Sequence, residues 1–145
     1  MAIISATLNW DGVWEIKEDN IPSNIPDEEG IYMILCGKRS SEPDKWDTSS
    51  YKLLYIGESD EVRSRIVGHE KWSLWRRNCR GDHLLFKVAK CNLGTTKRQK
   101  VECCLINNTK PTCNDECKDD FPYKDDTIQI TNTGMASPLS SSYAC

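Results

Sequence analysis

Long apolar runs are missing from this chain. No stretch approaches the roughly 20 apolar residues that a membrane-spanning helix needs, so no membrane partner is expected. The opening residues, Met1-Ala2-Ile3-Ile4-Ser5-Ala6-Thr7-Leu8, lack a basic cluster and are too short for the core of an export signal. A cytoplasmic protein is the expectation that follows. Internal repeats are also missing, which argues against a stacked-repeat architecture. The apolar fraction is a modest 38%, so a compact core with polar loops is expected. A length of 145 residues fits one domain.

Cysteine, by contrast, is abundant at eight residues. Without an export signal the thiols should be reduced, as small buried side chains plus a few exposed ones. Cys103, Cys104, Cys113 and Cys117 lie close together and raise a structural zinc site as an alternative. An adjacent pair followed by C-x3-C matches none of the usual two-knuckle spacings, however. A disulfide framework is the third option.

The formal net charge of −3 and a pI near 5.4 argue against a nucleic-acid partner when taken as averages. The charge is strongly polarised along the chain. Residues 1–59 carry a net −6, residues 60–112 a net +7, and residues 113–145 a net −4. The basic middle is a candidate anion-binding surface, unless acidic neighbours neutralise it in the fold.

Asp11-Gly12 between apolar residues reads as the turn of a short hairpin. Gly30 to Cys36 and Tyr51 to Gly57 read as central strands, and His83 to Ala89 as a third. Ser59 is placed to cap a helix from Asp60 to about Trp75, weakened at Gly68. A second helix opens at Thr95 or Thr96 and ends near Asn107, before Lys110-Pro111. Thr127 to Thr131 is a candidate edge strand. The expected class is α+β, with a small three-stranded antiparallel or mixed central sheet flanked by helices. Residues 1–29 form an N-terminal extension with the hairpin, 30–117 the core, and 118–145 an acidic, then Ser-rich tail that is largely disordered.

On the first helix Val62, Ile66 and His69 share one face with Arg65 beside them, so an imidazole and a guanidinium lie on an inward stripe. On the second, Glu102 sits in the apolar stretch Val101–Leu105. Each oddity alone is explained by a helix edge or an ion pair. They gain meaning beside Gly30-Ile31-Tyr32 and Tyr55-Ile56-Gly57. In order along the chain stand these two tripeptides, Arg65, His69 four residues on, Glu102, and Asn114 just beyond Pro111. This arrangement resembles the GIY-YIG nuclease superfamily over residues 30–114, and most closely its restriction-endonuclease branch.

The resemblance implies an endonuclease that hydrolyses phosphodiester bonds in DNA with one divalent metal, Mg²⁺ or Mn²⁺, held by Glu102. Elementary chemistry agrees. A single hard carboxylate suits Mg²⁺ with waters and phosphate oxygens completing its shell. Arg65 suits the charge that develops on a phosphoryl group. Tyr32 would activate or orient water, with His69 as its proton acceptor because a free phenol has a pKa near 10. The family resemblance assigns Tyr55 to water or the scissile phosphate, and Asn114 to orienting Glu102 or the metal waters. Arg63, Lys71, Arg76, Arg77, Arg80, Lys97 and Arg98 are candidate phosphate contacts, which position DNA without selecting sequence. Trp72 and Trp75 are read as core. Specificity is left to loops such as 37–50, to a homodimer or to a separate partner. A catalytically inactive nucleic-acid-binding module and a zinc-stabilised interaction domain are the alternatives.

Overall fold

The computed structural model describes all 145 residues. In chain order the elements are β1 (Ile3–Glu15), β2 (Gly30–Arg39), β3 (Trp46–Ser59), α1 (Val62–Ile66), α2 (Trp72–Arg77), β4 (His83–Lys90), α3 (Thr95–Thr109), β5 (Thr127–Gly134) and β6 (Ser142–Ala144). The strands form one six-stranded mixed sheet in the order β3-β2-β4-β1-β5-β6, curled into half a barrel. This corrects the expected three-stranded sheet flanked by helices. The three expected strands are present as the β3-β2-β4 end, but strands from both termini double the sheet, and the helices are few and short.

Two local misreadings account for the difference. Asp11-Gly12 does not turn the chain. It lies inside β1, at a register shift against β4 between Gly12 and Trp14, so a turn-like dipeptide serves as a bulge. The C-terminal segment is likewise integral to the sheet. Ile128, Ile130 and Asn132 alternate inward with Thr and Gln outward, the pattern of a strand with one wet face. β5 pairs in parallel with β1 from Ile3↔Thr127 to Trp10↔Gly134, and β6 covers its other edge. The expected helix over 60–75 is two short ones, interrupted where Gly68 takes a left-handed φ of +67°.

Apolar residues pack on both faces of the sheet. Ile31, Met33, Leu35, Leu85 and Ala89 meet Val101, Cys104 and Leu105 of α3, and this core continues along β1 and β5. On the opposite face Tyr32, Ile34, Phe86 and Val88 meet Val62, Ile66, Trp72 and Trp75. Each fully buried Val, Leu, Ile, Phe or Met side chain among them contributes about 1.5–3 kcal/mol. Trp72 also donates its indole N–H to the Ile66 carbonyl at 2.8 Å, which ties α2 to α1.

Cysteine pairing departs from the reduced state expected. Disulfides join Cys36 to Cys79, Cys103 to Cys117 and Cys104 to Cys145, leaving Cys91 and Cys113 free. The four cysteines considered for zinc are therefore divided between two different bridges and one buried thiol. No group of three or more metal-ligating side chains of the kind a zinc site requires is present.

Candidate active site

The two tyrosines are brought together by strand pairing. β2 and β3 run antiparallel with Tyr32 opposite Gly57 and Tyr55 opposite Ile34. Side chains two residues apart on a strand share a face, so both phenols project from the same side, with ring centroids 6.2 Å apart. The glycine is what lets Tyr32 lie flat. A Cβ on Gly57 would come within 2.4 Å of the Tyr32 phenol carbon and oxygen. Phe86 on β4 stacks against the other side of Tyr32, at 5.6 Å. Burial holds the Tyr32 pKa well above the usual phenol value, and the neighbouring Tyr55 adds to the effect. Tyr55 is pushed up to about 12, mainly by burial and then by the charge of Glu102. Both act as neutral phenols near pH 7.

Arg65 stands in the last turn of α1, close enough for its charge to act on Tyr32, Tyr55 and Glu102. Its guanidinium forks onto Glu70, with Nη1 3.2 Å from Oε2 and Nη2 3.0 Å from Oε1. That pair draws the Glu70 pKa down to about 2. His69 is fully enclosed between Tyr55, at 5.3 Å, and Trp75, at 4.7 Å. Its Nδ1 accepts the Lys71 backbone N–H at 3.0 Å. The proton of the neutral ring therefore sits on Nε2, which is buried without a partner. Burial, reinforced by the Arg65 charge, lowers the His69 pKa to about 4. With one nitrogen engaged and the other protonated, His69 has no lone pair for a phenol proton. The expected acceptor role is thus corrected to that of an enclosed N–H donor and aromatic wall.

Glu102 reaches the same cleft from α3. The cleft holds about 270 Å³ and is lined by Tyr55, Glu70, Lys71, Glu102, Asn114, Asp115 and Glu116. Glu102 is half-buried and pairs with no hydrogen-bond donor or cation. Burial raises its pKa to about 8; the carboxylates of Glu58 and Glu116 push the same way, against Arg98 and Arg65. Asn114 has a different role from the one expected. Its amide accepts the Ile56 N–H and donates to the Ile56 carbonyl, both at 2.9 Å, so it braces the strand between Tyr55 and Gly57. No hydrogen bond joins that amide to Glu102, although both line the cleft.

Sequence reasoning assigned Arg98 to phosphate contact, but the fold buries it. It grips Glu29 at 2.8 Å, Glu58 at 2.5 Å and Asp60 at 2.9 Å. Glu29 immediately precedes Gly30-Ile31-Tyr32, Glu58 immediately follows Tyr55-Ile56-Gly57, and Arg98 lies one turn before Glu102 on α3. One guanidinium thus ties together the three segments that carry the cleft. Its (i, i+4) spacing to Glu102 would suggest a pair along the helix, but Arg98 turns to these three acidic residues instead. Other candidate contacts are also engaged. Arg63 donates to the carbonyls of Ile21 and Pro22 at 2.9 Å each, Arg76 pairs with Glu18, and Lys71 pairs with Asp115 at 2.5 Å. Arg77, Arg80 and Lys97 are left exposed or half-exposed without an acidic partner.

Comparison with protein-family models, with curated proteins and with solved structures found no match to this chain.

Proposed function

We propose that this chain is a metal-dependent endonuclease of the GIY-YIG type, acting on phosphodiester bonds in DNA. The observation that supports the reading is that Tyr55 and Glu102 line one cleft while Tyr32 packs against Tyr55 at 6.2 Å and the Arg65 charge acts on all three, although the four come from two strands and two helices. The donor set suits one hard divalent ion. Glu102 is an unpaired, half-buried carboxylate, whereas Glu70 and Asp115 of the same cleft are taken by Arg65 and Lys71. No cluster of three or more ligating side chains is present, so Glu102 would hold the ion with waters and phosphate oxygens. Mg²⁺ or Mn²⁺ typically binds through one or two such carboxylates and keeps waters for the rest. A bound ion of this kind supplies an acidified water and a counter-charge for phosphate oxygens.

The side chains divide the remaining work. Arg65 offers a two-pronged donor to the non-bridging oxygens as negative charge grows on them. Tyr32 and Tyr55, held neutral by burial, orient water and phosphate through their hydroxyls rather than removing a proton. His69 fixes the Tyr55 ring, Asn114 fixes its strand, and Arg98 holds α3 against both. Of the candidate contacts, Arg77, Arg80 and Lys97 remain for sequence-independent contact with DNA.

The test is cleavage of duplex, branched and single-stranded DNA with Mg²⁺ or Mn²⁺, with Glu102→Ala as the control. Metal-dependent cleavage lost in the variant supports the reading; no cleavage of any substrate sinks it. No helix is long and apolar enough to cross a membrane. A cytoplasmic setting predicts that the cysteine pairs are reduced in the cell, whereas an oxidising one predicts three intact bonds. Thiol counting on rapidly alkylated protein separates the two.

A further inference from the structure

The Arg65–Glu70 pair has a consequence for how the cleft is occupied. A guanidinium fork that meets both oxygens of a carboxylate has the geometry with which it meets two oxygens of a phosphate. Glu70 presents that pair of oxygens to Arg65, at 3.2 and 3.0 Å. It does so from the short connection between α1 and α2, with its side chain 67% exposed, its own backbone N–H as a further donor and His69 Nδ1 3.7 Å from Oε2. Glu70 lines the cleft with Glu102, and the Arg65 charge acts on Glu102, so the seat lies beside that cleft. Lys71, the next residue, is treated the same way. Its ammonium is held at 2.5 Å by Asp115, whose side chain is 80% exposed. Both carboxylates are thus mostly exposed.

We propose that Glu70 is a built-in competitor of the substrate, occupying on Arg65 the seat that a phosphodiester takes. The proposal rests on reading the cleft as a phosphodiester site, and it adds a residue that sets how readily that site fills. A phosphate group must displace the Glu70 carboxylate before Arg65 can serve it. Weakly held phosphates are rejected, and a polyanion anchored elsewhere on the surface, as DNA is by many contacts, succeeds. Asp115 does the same for Lys71 on a smaller scale.

The probe is inorganic phosphate, titrated at low ionic strength while the Arg65 Nε–Hε resonance is followed by NMR. Four proteins are compared: wild type, Glu70→Gln, Glu116→Gln and the double variant Arg65→Met/Glu70→Gln. Glu116→Gln removes the same unit of charge from the same cleft but breaks no pair with Arg65. For the double variant, phosphate binding is read by calorimetry. Glu70→Gln should bind phosphate about two- to fivefold more tightly than wild type, the factor that a partly exposed ion pair is worth. Glu116→Gln should show little gain, and the double variant should lose it. Equal gains in Glu70→Gln and Glu116→Gln would overturn the proposal, because general charge would then explain them. So would a gain that survives loss of Arg65, or no phosphate binding by any variant. DNA cleavage is measured separately. An opened seat without cleavage in any protein sinks the nuclease reading alone. Cleavage by wild type without a gain in Glu70→Gln sinks the competitor alone.

Discussion

The two ends of the sheet treat their buried polar groups differently. At the β1-β5-β6 end, Asn132 is buried and fully used. It accepts the Trp10 indole N–H and donates to the Ser140 carbonyl, both at 2.9 Å. The outward residues there, including Ser5, Thr7, Thr131 and Thr133, are uncharged and wet. At the β3-β2 end, Glu102 has no partner, and His69 Nε2 and Trp75 Nε1 are buried without one. The largest carboxylate, phenol and imidazole pKa shifts cluster there too. A buried polar group without a partner costs about 1–3 kcal/mol. One end of the sheet satisfies its polar groups and supplies rigidity. The other carries several unsatisfied ones around a single cleft, a cost that stability alone does not explain.

Three pairs of experiments would break or sharpen this contrast. The largest effect is expected from Arg65→Ala or Glu102→Ala, each lowering metal-dependent DNA cleavage by about 10²–10³-fold, as loss of a group that stabilises transition-state charge does. Asn132→Ala, at the other end, should leave turnover unchanged and lower stability by about 1–3 kcal/mol in urea melts. Equal losses of activity from both ends would erase the distinction.

The second pair uses two crowded glycines. A Cβ on Gly57 meets Tyr32 at 2.4 Å, and one on Gly134 meets the Asn9 side-chain oxygen at 2.5 Å and the Trp10 carbonyl at 2.6 Å. Gly134 also holds φ at +72°, which disfavours any side chain. Both alanine variants should lose about 1–3 kcal/mol. Only Gly57→Ala displaces a phenol of the cleft, so only it should reduce turnover when the two are compared at equal fractions folded.

The same contrast explains what could be read in advance. Tyr32, Tyr55, Arg65 and Glu102 are singled out by a family resemblance that rests on two local tripeptides and on order along the chain, whereas the three strands and two helical regions around them are local patterns. What could not be read depends on distant partners. The parallel pairing of Ile4 with Ile128 joins the two ends of the chain, and nothing near either residue specifies it. The +7 middle segment looked like an anion-binding surface, but acidic residues from both flanks fold back onto it. Glu18, Glu28, Glu29, Glu58, Asp115 and Asp126 take up Arg76, Lys90, Arg98, Lys71 and Lys100. Truncating residues 118–145 to expose a basic surface, an attractive idea from charge alone, would instead remove β5, β6 and the Cys104–Cys145 tie. Disulfide partners were equally hidden, since Cys36 and Cys79 lie 43 residues apart.

A smaller effect separates function from stability within the cleft. Burial raises the Glu102 pKa to about 8, so the folded state keeps the proton where an unfolded chain has released it. Its contribution to stability is therefore whole below the usual carboxylate pKa and is lost as pH rises toward 8. Glu102→Gln should abolish cleavage yet raise stability by about 1–3 kcal/mol at pH 8. Stability that falls in this variant would mean that Glu102 has a partner after all.

His69 gives the smallest effect, with the opposite sign. Its folded pKa of about 4 lies below the ordinary 6.5, because burial and the Arg65 charge disfavour the imidazolium. Between those values the unfolded chain takes up a proton that the folded one refuses. Stability is thus undiminished above about pH 6.5 and declines as pH falls toward 4. At pH 5.5 the loss amounts to about 1 kcal/mol, and His69→Gln should abolish that slope. Urea melts at pH 7.0 and 5.5 on both proteins isolate the term, because the acidic side chains common to them cancel in the difference. His83, the other histidine, lies against Glu15 at 2.6 Å, outside the cleft, and serves as the control. If the slope survives His69→Gln but disappears in His83→Gln, the enclosed imidazole is not what limits stability in mild acid, and the contrast between the two ends of the sheet loses one of its supports.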